Sequence, residues 1–427
     1  MKTTQTEVLV VGAGPVGMMT ALALARRGVK VQIIDRAHRP ATHTYACLLH
    51  AGSLRLLGDF DVAGEVLRQG QEVHTLAFYE NGQRQAEFDL GALPGPTRSG
   101  AVVIAQSALE DILEERLRND HGIRVEWNHR LSELTPEPHQ VTAVVDELGE
   151  VSKGYAVPSW QWAVRRSHRT RAAFVIGADG HNSCVRQSLS IEFAPVAEPE
   201  CYEVYEMVAD GKLPEELRVC VEGSFASAYW PLPGKRCRWS LQVAPSETTP
   251  HESEHEARSL YLLESEAFDP DHLRQVGARL RSRTKWFEAE PQELGWATTM
   301  IFQRRLARHF GHGRCWLAGD AAHEMGPIGM QSMNLGLSEA EELAGCLADI
   351  LQQHASLDTL GAYEQTFRNQ AAQALHMNGG CDSTRASAWS RQRCHQVTAC
   401  LPAVGDELAE LAGQSGLILP ASPRVLA

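Results

Sequence analysis

The sequence lacks several features that would place it in other functional classes. Its ten cysteines form no Cys-x-x-Cys pair and no Cys/His cluster at zinc spacing, so we expect no metal site and interpret them as the reduced thiols of a cytoplasmic protein. No long block of like charges occurs, and a net charge of -13 without a basic stripe argues against nucleic acid or an anionic membrane as a partner. No Gly-x-Ser-x-Gly turn is present, so the nucleophile of an α/β-hydrolase is not indicated.

The chain also offers little that could cross a membrane. Residues 8–25 form an uncharged run of the length that a signal peptide or a membrane span needs. Gly12, Gly14, Pro15 and Gly17 interrupt its centre, so the run is better interpreted as a buried strand, a turn and a buried helix. We therefore expect no membrane span.

The patterns that are present predict a mixed α/β protein. A length of 427 residues is enough for two or three domains, or for two interleaved ones. Hydrophobic periodicity and turn residues predict a strand over 7–11, a helix over 15–27 that stops at Gly28, a strand over 29–35, a helix over 54–68, a hairpin over 75–90, a strand over 102–105, a helix over 107–118 opened by a capping box of Ser107 and Glu110, strands within 123–176, an antiparallel sheet within 200–245, and helices over 253–285 and 334–351.

A glycine-rich turn joins the first predicted strand to the first predicted helix. It reads Gly12-Ala13-Gly14-Pro15-Val16-Gly17, and its amide groups lie at a helix N-terminus, where the helix dipole favours a pyrophosphate. Asp35 follows at the end of the next strand, at the spacing at which a carboxylate accepts hydrogen bonds from ribose hydroxyls. Strand, turn, helix and acid together predict a dinucleotide site, although the turn alone does not distinguish FAD from NAD.

Two further strands end in an aspartate much later in the chain. Gly177-Ala178-Asp179-Gly180 closes the apolar strand 173–176, and Gly319-Asp320-Ala321-Ala322-His323 closes the strand 315–318. Together with the glycine turn, and in this order, they resemble the single-component FAD-dependent monooxygenases of the aromatic-hydroxylase (p-hydroxybenzoate hydroxylase-like) family. The resemblance extends over about residues 6–350 and is loose in the middle sheet.

The resemblance implies which residues hold FAD. Asp320 would bind the ribityl hydroxyls, the helix after it would direct its N-terminus at the flavin pyrimidine ring, and Gln106 would touch the cofactor. Many relatives carry a phosphate-binding arginine at the position of Tyr45, which has no charge. The expected cofactor-binding residues are Gly12, Gly14, Pro15, Val16, Gly17, Asp35, Arg36, Tyr45, Gln106, Asp179, Gly180, Arg186, Gly319, Asp320, Gly329, Met330, Met333 and Asn334.

The resemblance also implies a reaction. NADH or NADPH would reduce the flavin, O2 would add at flavin C4a, and the resulting hydroperoxide would transfer one oxygen atom to a small aromatic or polycyclic substrate. Pro327, Gly329 and Arg238 would lie at the catalytic centre. Trp230, Leu232 and Arg238, on two neighbouring predicted strands, are the expected substrate contacts. The alternative is that Trp230 packs against helices and Arg238 is a solvated edge residue.

The implied fold class is α/β, with a doubly wound, Rossmann-like FAD-binding domain, an inserted antiparallel-sheet substrate domain and a helical C-terminal segment. We expect residues 1–75, 98–187 and 290–350 in the discontinuous FAD domain, 76–97 and 188–289 in the substrate domain, and 351–427 in the C-terminal segment. The sequence has no second glycine turn, so NAD(P)H would dock transiently. Whether the chain forms a homo-oligomer stays open.

Two other functions remain open from the sequence. A flavin-dependent halogenase shares the FAD fold but needs a lysine near the flavin, and no lysine occurs between Lys30 and Lys153. Its Trp-x-Trp-x-Ile-Pro stretch is matched only in the first half, at Trp160-Gln161-Trp162. The other alternative is an FAD-dependent reductase or redox-responsive protein that does not oxygenate. We interpret His323 as a structural residue rather than a base.

Overall fold

A computed structural model describes residues 2–38, 46–94, 100–153, 159–244, 270–284, 286–377 and 385–419. Its strands are β1 (Thr3–Val11), β2 (Val31–Ile34), β3 (Ala46–His50), β4 (Gln71–Val73), β5 (Thr75–Glu80), β6 (Gln83–Asp89), β7 (Ala101–Ala105), β8 (His129–Pro136), β9 (Val141–Lys153), β10 (Ser159–Gly177), β11 (Phe193–Pro195), β12 (Glu200–Asp210), β13 (Leu217–Glu222), β14 (Phe225–Leu232), β15 (Arg236–Val243), β16 (Glu290–Phe302), β17 (Arg305–Ala307), β18 (Gly311–His312), β19 (Cys315–Leu317) and β20 (His323–Glu324). Its helices are α1 (Pro15–Arg26), α2 (Ala51–Asp59), α3 (Ala63–Gln69), α4 (Gln106–His121), α5 (Cys184–Ser188), α6 (Pro270–Arg283), α7 (Gln331–Gln353), α8 (Thr359–Ala374), α9 (Ala388–Gln392), α10 (Cys394–Cys400) and α11 (Gly405–Gln414). Short 3-10 turns cover Leu90–Ala92 and Gly319–Ala321.

The first sheet carries the glycine turn and is parallel at its centre. Its main strand order is β18-β19-β10-β1-β2, with β1 parallel to β2 and β10, and β10 parallel to β19. The register places Val11 beside both Ile34 and Gly177, and Gly177 beside Leu317. Because parallel strands end at the same edge of a sheet, the turns that follow β1, β2, β10 and β19 meet there. The predicted acid-bearing strand ends therefore lie at one edge.

The core of this region explains the uncharged run near the start of the chain. Val8, Leu9 and Val10 of β1 and Met18 and Met19 of α1 are completely buried. A central parallel strand is covered on both faces, so it needs a continuous apolar sequence rather than an alternating one. The interpretation as strand, turn and helix is confirmed. Within the described residues, no helix is long and apolar enough to span a membrane.

The second sheet has the strand order β16-β12-β15-β14-β13-β5-β6 and is antiparallel except between β13 and β5. We call the face that buries Trp230 and Tyr202 the roof face, because it packs on Leu48 of β3 and on the C-terminal helices. The opposite face buries Tyr229 and Trp239 in a cluster with residues of α6. The predicted α/β fold class is confirmed.

The position of strand β16 differs from the domain boundaries expected from the sequence. The sequence analysis assigned residues 290–350 to the FAD domain, whereas β16 pairs with β12 along its whole length and so belongs to the second sheet. We propose that the boundary between the two regions follows Phe302. Helices α10 and α11 contribute Val397, Leu401 and Leu408 to the core beneath the roof face, so the C-terminal segment packs against the substrate region.

Three helix predictions differ from the structure in detail. The helix predicted over 54–68 is divided into α2 and α3, because Asp61 adopts a φ of 57° between them. The capping box of Ser107 and Glu110 is wrong: α4 begins after Ala105, and the Glu110 carboxylate accepts from Gln106 instead. Helix α7 begins at Gln331, earlier than residue 334. Residues 253–269 of the predicted helix over 253–285 lie outside the described residues.

The cysteine prediction needs one correction. Eight cysteines within the described residues are free thiols, as the sequence predicts. Cys394, at the start of α10, is disulfide-bonded, so the interpretation of all the cysteines as reduced is wrong at this position. Sequence spacing could not show this, because a disulfide depends on the distance between Cβ atoms in the folded chain.

Candidate functional site

The glycine turn is shaped by close backbone contacts on one side and is open on the other. Gly12 has a φ of 102°, and a Cβ there would lie 2.2 Å from the Ala178 carbonyl oxygen. A Cβ on Gly17 would lie 2.0 Å from the Gly12 oxygen, whereas a Cβ on Gly14 would meet nothing within 4 Å. Gly12 and Gly17 are therefore required by packing. Gly14 leaves open space of the kind that a pyrophosphate needs to approach the backbone.

Helix α1 presents its N-terminus to that space. Gly14 is the N-cap and makes no side-chain capping bond, and Pro15 occupies the first turn. The amide groups of the first turn of an uncapped helix lack intrahelical acceptors, and the dipole favours an anion beside them. This end of the site fits the diphosphate of a dinucleotide.

Asp35 supports the glycine turn directly. Its Oδ2 accepts from the Ala13 amide at 2.7 Å and its Oδ1 accepts from the Ala37 amide at 2.7 Å. The side chain is half-buried, so lone pairs remain available to a ribose, and the neighbouring Arg36 is exposed. Asp35 thus holds the turn as well as being placed for the expected ribose contact. Tyr45 lies outside the described residues.

Asp179 follows β10 and caps helix α5. Its Oδ2 accepts from the amides of Cys184 and Val185 at 2.7 and 3.3 Å. Its Oδ1 is buried and has no hydrogen-bond partner among the described residues. Burial raises the pKa of this carboxyl group, although the Ser183 side chain and the amide hydrogen bonds oppose the shift. Buried polar atoms normally have a hydrogen-bond partner. An unpartnered oxygen beside the glycine turn therefore indicates a site for a ligand that donates a hydrogen bond.

Arg186 acts between two turns of the site. Its side chain is buried and donates to the carbonyl oxygens of Ala321 at 2.9 Å and His181 at 2.6 Å. The guanidinium also lies over the Phe193 ring, 4.0 Å from its centre. These contacts tie the turn that contains Gly180 to the turn that contains Asp320. The structure therefore gives Arg186 a positioning role at the edge of the site.

The Gly319–Ala321 turn is wedged between two helices. A Cβ on Gly319 would lie 3.0 Å from Val16 Cγ2 of α1, and a Cβ on Gly336 of α7 would lie 2.7 Å from the same atom. Asp320 points outward and is exposed, and its Oδ1 accepts from Ser332 Oγ at 2.5 Å. This places the expected ribityl-binding carboxylate at the rim of the site, next to the N-terminus of α1.

The loop before α7 is held from two sides. A Cβ on Gly329 would lie 2.7 Å from the Ala399 oxygen and 2.9 Å from the Leu401 oxygen, so the loop packs directly on α10 and the residue after it. Gln331 donates to the Leu401 oxygen at 3.1 Å. The N-cap of α7, Met330, has a φ of 50° and makes no side-chain capping bond. This helix N-terminus, with Met333 in its first turn, is therefore available to a group with negative charge.

Asn334 is used internally rather than directed at the open site. It accepts from the His50 amide at 2.9 Å and donates to the oxygens of Leu48 at 2.8 Å and Met330 at 2.7 Å. His50 Nε2 donates to the Gly329 oxygen at 2.8 Å, and burial lowers the pKa of His50 to about 3. Neutral His50 and Asn334 together join β3 to the loop. No pattern in the sequence indicates a role for His50, because its partner Gly329 lies 279 residues away in the chain.

Gln106 begins α4 and is half-buried. It donates to Glu110 Oε1 at 2.8 Å. The charges of Glu110, Arg238 and Glu206 all act on the Cys47 thiol, whose pKa burial raises to about 12. Cys47 of β3 therefore lies within the electrostatic reach of α4 and of the roof face.

The roof face carries a row of polar and aromatic side chains. The register aligns Glu206 of β12 with Arg238 of β15, and Arg238 with Trp230 of β14. All three are almost completely buried. The Arg238 guanidinium carbon lies 4.6 Å from the centre of the Trp230 ring, and its Nη1 lies 3.8 Å from Glu206 Oε1. Arg238 is therefore not a solvated edge residue. The other half of that alternative agrees with the structure, because Trp230 lies in the hydrophobic cluster that includes Val397 of α10 and Leu408 of α11. Leu232 lies buried two residues from Trp230.

A cavity opens between the roof face, the loop before α7 and helix α10. Its volume is about 40 Å³, and it includes Pro327 and Ile328 of the loop. Tyr202 and Gln242 line it from the roof face. Ala399 lines it from α10, so the C-terminal segment forms one wall, which the sequence analysis did not predict.

The comparisons with known proteins agree with this geometry. The family described as FAD binding domain matches residues 5–378. The chain belongs to this family. FAD is accordingly its cofactor, and the open Gly14 face, the unpartnered Asp179 Oδ1 and the free N-termini of α1 and α7 fit that group.

Several curated proteins are similar to this FAD-binding chain. The 6-methylpretetramide 4-monooxygenase of Streptomyces rimosus is 28% identical over 362 residues, which are 84% of this chain and 58% of the relative. The pentachlorophenol 4-monooxygenase of Sphingobium chlorophenolicum is 29% identical over 379 residues, 86% of this chain and 62% of the relative. The chain thus spans about three fifths of the length of these two proteins.

Solved structures share the fold. The p-nitrophenol 4-monooxygenase PnpA from Pseudomonas putida DLL-E4 superposes with a TM-score of 0.72 at 20% identity, covering 97% of this chain and 99% of that one. The flavin-dependent monooxygenase PieE, solved in complex with FAD and substrate, gives a TM-score of 0.69 at 20% identity and covers 88% of this chain and 63% of that one. At this identity the likeness concerns the fold alone.

Proposed function

We propose that the protein is an NAD(P)H-dependent FAD monooxygenase that inserts one oxygen atom of O2 into a small aromatic or polycyclic substrate. The observation that carries the proposal is the position of the roof face relative to the sheet edge that carries the expected FAD site. The glycine turn, Asp35, Asp179 and Asp320 follow strands that end at one sheet edge. The roof face, which carries Glu206, Arg238 and Trp230, packs on Leu48 of β3, whose carbonyl oxygen accepts from Asn334 of α7. The monooxygenase names of the similar proteins support the same reaction class.

The residues that would hold FAD divide by the part of the cofactor they suit. The Gly14 face and the N-terminus of α1 would take the diphosphate, and Asp35 would take the adenosine ribose. Asp320 would accept from the ribityl hydroxyls. When bound and reduced, FAD supplies the electrons and the oxygen activation that no side chain can provide.

The N-terminus of α7 would face the flavin pyrimidine ring. The uncapped amides that follow Met330 can stabilise negative charge on the reduced ring system. His50 and Asn334 keep this loop fixed through carbonyl oxygens, so the donors do not need to reorganise when charge develops. Pro327 and Gly329 contribute by shaping the loop beside the substrate cavity.

The substrate would lie between this loop and the roof face. Trp230 offers a flat apolar surface, and Arg238 offers N–H donors. The Glu206 carboxylate lies close enough to Arg238 to offset its charge, so the site suits a phenolic or enolic oxygen better than a free carboxylate. The buried walls would also exclude water from the reacting atoms.

NAD(P)H has no evident nucleotide-binding turn of its own in the sequence. We therefore propose that it docks transiently at the open rim, reduces the flavin and leaves. A reductase without oxygenation would use the same steps and would differ only in releasing reduced oxygen species instead of an oxygenated product.

The experiment that tests the proposal is turnover with labelled oxygen. Purified protein should be yellow, release FAD on denaturation, and oxidise NADH or NADPH faster when a suitable phenol or polycyclic quinol is added. Mass spectrometry of the product formed under 18O2 should show one labelled oxygen atom. FAD-bound protein that accelerates NAD(P)H oxidation with every aromatic in a broad panel but yields only hydrogen peroxide would favour the reductase alternative.

A further inference from the structure

A continuous chain of hydrogen bonds runs from the interior of α7 to Asp320. Glu339 Oε2 accepts from the Gly319 amide at 2.7 Å, and Glu339 Oε1 lies 2.8 Å from His323 Nε2. His323 Nδ1 lies 3.1 Å from Ser332 Oγ, which in turn lies 2.5 Å from Asp320 Oδ1. We call Glu339, His323, Ser332 and Asp320 the relay.

The inner half of the relay is a buried ion pair. The side chains of Glu339 and His323 have no solvent exposure. Burial by itself would lower the pKa of His323, but the Glu339 carboxylate, helped by Asp320, outweighs it and raises the pKa above the usual 6.5. Phe310, whose ring centre lies 6.0 Å from that of His323, adds no charge. The groups that act on His323 therefore favour its imidazolium form.

The protonation of His323 decides where the Ser332 hydrogen goes. An ionised carboxylate can only accept, so Nε2 carries a hydrogen toward Glu339. In the imidazolium form Nδ1 carries the second hydrogen and donates to Ser332 Oγ, which is then free to donate to Asp320. In the neutral form Nδ1 is an acceptor and competes with Asp320 for the single Ser332 hydrogen. The His323 carbonyl oxygen, 3.0 Å from Ser332 Oγ, is a further acceptor in either form, but Asp320 is the nearer and the charged one.

We propose that Glu339, His323 and Ser332 are positioning residues for FAD, which fix the Asp320 carboxylate so that its remaining oxygen meets the ribityl hydroxyls. The inference rests on the proposed placement of Asp320 against the ribityl chain. The Glu339 carboxylate also holds the Gly319 amide, so the same group fixes the backbone of the turn and, through three successive hydrogen bonds, the side chain at its tip. No covalent step is involved.

This role differs from that of a histidine that only fills the core. A core histidine would need one partner for each nitrogen, and any acceptor would serve. Here the hydrogen bonds start at the buried Glu339 carboxylate and lead outward to Asp320, an exposed acid at the rim of the cofactor site.

A double-mutant cycle on FAD affinity tests the outer bond. Apoprotein of wild type, Ser332→Ala, Asp320→Asn and the double variant is titrated with FAD, and the apoprotein melting temperature is recorded for each. Ser332→Ala should weaken FAD binding roughly tenfold, the size expected for a hydrogen bond to a charged group. Adding Ser332→Ala to the Asp320→Asn variant should change the FAD affinity little further. Ser338→Ala, which removes another partly buried hydroxyl of α7, is the matched control and should leave the affinity unchanged.

The outcomes separate the inference from the proposal on which it rests. Unchanged FAD affinity in Asp320→Asn would mean that Asp320 does not bind the cofactor, and the relay would fall with that placement. Weaker FAD binding in Asp320→Asn, combined with unchanged FAD binding in Ser332→Ala, would overturn the relay but not the placement of Asp320. The relay would also be overturned if Ser332→Ala reduced FAD affinity equally in wild type and in Asp320→Asn and lowered the apoprotein melting temperature. That result would show that Ser332 has only a structural role.

A spectroscopic measurement tests the inner bonds. In a pH titration of protein with 15N-labelled histidine, one imidazole should keep both nitrogens protonated to a higher pH than an ordinary histidine does. That signal should disappear in His323→Gln and persist in His309→Gln, a control at an exposed histidine paired with Glu364. If no doubly protonated imidazole is lost in His323→Gln, the imidazolium step is wrong.

Discussion

Trp230 and Arg238 face each other across neighbouring strands, with the guanidinium carbon 4.6 Å from the ring centre and both side chains almost completely buried. A cation over an aromatic face is attracted by the ring quadrupole, and the attraction is stronger where water is excluded. The pair therefore forms a rigid, flat surface at the centre of the roof face. Glu206, on the strand at the other side of β15, lies 3.8 Å from Arg238 Nη1 and offsets its charge.

The first prediction concerns this pair. Trp230→Ala and Arg238→Ala should each retain FAD, because neither residue belongs to the sheet edge that carries the glycine turn. Each should weaken substrate-stimulated NAD(P)H oxidation or divert it into hydrogen peroxide, since the substrate loses its flat support or its donor. Flavin absorbance, oxidation rate and peroxide yield are the measurements. Arg281→Ala, which removes an exposed pair with Glu290, is the control, and normal coupling in both test variants would place the substrate elsewhere.

The second prediction concerns Glu206 and the charge of the substrate. Glu206→Gln removes the carboxylate that offsets Arg238 while keeping a similar shape. The variant should bind an aromatic carboxylate more tightly than wild type does, and a neutral phenol about equally, because the guanidinium becomes a net cation. Perturbation of the flavin absorption spectrum during titration with a phenol and with its carboxylated analogue measures this. Equal discrimination by wild type and variant would contradict the assignment.

The third prediction compares two glycines of one turn. Gly12→Ala places a Cβ 2.2 Å from a backbone oxygen at a φ of 102°, whereas Gly14→Ala meets no atom within 4 Å. Gly12→Ala should therefore lower the free energy of unfolding by at least 1–3 kcal/mol, the approximate cost of such backbone strain alone. Gly14→Ala should fold normally but bind FAD less tightly. Melting curves of the apoproteins and FAD titrations distinguish the two effects, and a stable Gly12→Ala protein would show that the turn relaxes.

The fourth prediction is a pH dependence. Burial, with a smaller contribution from Asp320, raises the pKa of Glu324 from 4.5 to about 7. A carboxyl group whose folded pKa is raised contributes stability below its unfolded pKa and loses it as pH rises through the folded value. The stability of the apoprotein should therefore decline between about pH 4.5 and 7 at this site.

The comparison of Glu324→Gln with wild type measures that decline. The variant cannot ionise, so it should match wild type near pH 5 and exceed it at pH 8 by on the order of 1–2 kcal/mol, reduced for partial solvent screening. Denaturant unfolding at the two pH values is sufficient. Glu192→Gln, at a glutamate that is exposed, should show no such difference. If the free energy of unfolding changed with pH equally in Glu324→Gln and in wild type, the raised pKa of Glu324 would be refuted.

The fifth prediction concerns the halogenase alternative. The absence of lysine between Lys30 and Lys153 leaves that interval without the ammonium group that a halogenase requires near its flavin. Turnover in the presence of chloride or bromide should therefore give no halogenated product. Product masses compared with and without added halide check this, and a halogen isotope pattern would reverse the assignment.

Some parts of the site followed from local sequence. The glycine turn, the strand before it and the helix after it are consecutive in the chain, and their residue types are set by contacts within that unit. The hairpin around Asn81-Gly82 was predicted for the same reason, and β5 and β6 confirm it. The boundary between α2 and α3 was missed because Asp61 gives no glycine or proline signal for its positive φ.

What the sequence by itself determined is the βαβ unit with its dinucleotide turn and the two later strands that end in Asp179 and Asp320, because strand periodicity and turn chemistry act over a few residues. Only the tertiary structure decided that Glu339 and His323 form a buried pair behind Asp320, that Glu206 faces Arg238, and that α10 packs on Gly329. The first contact joins α7 to β20, the second joins two strands of one sheet that are separated in sequence, and the third joins α10 to the loop before α7. A local pattern carries no information about such partners, since burial and pairing are set by the packing of the whole chain.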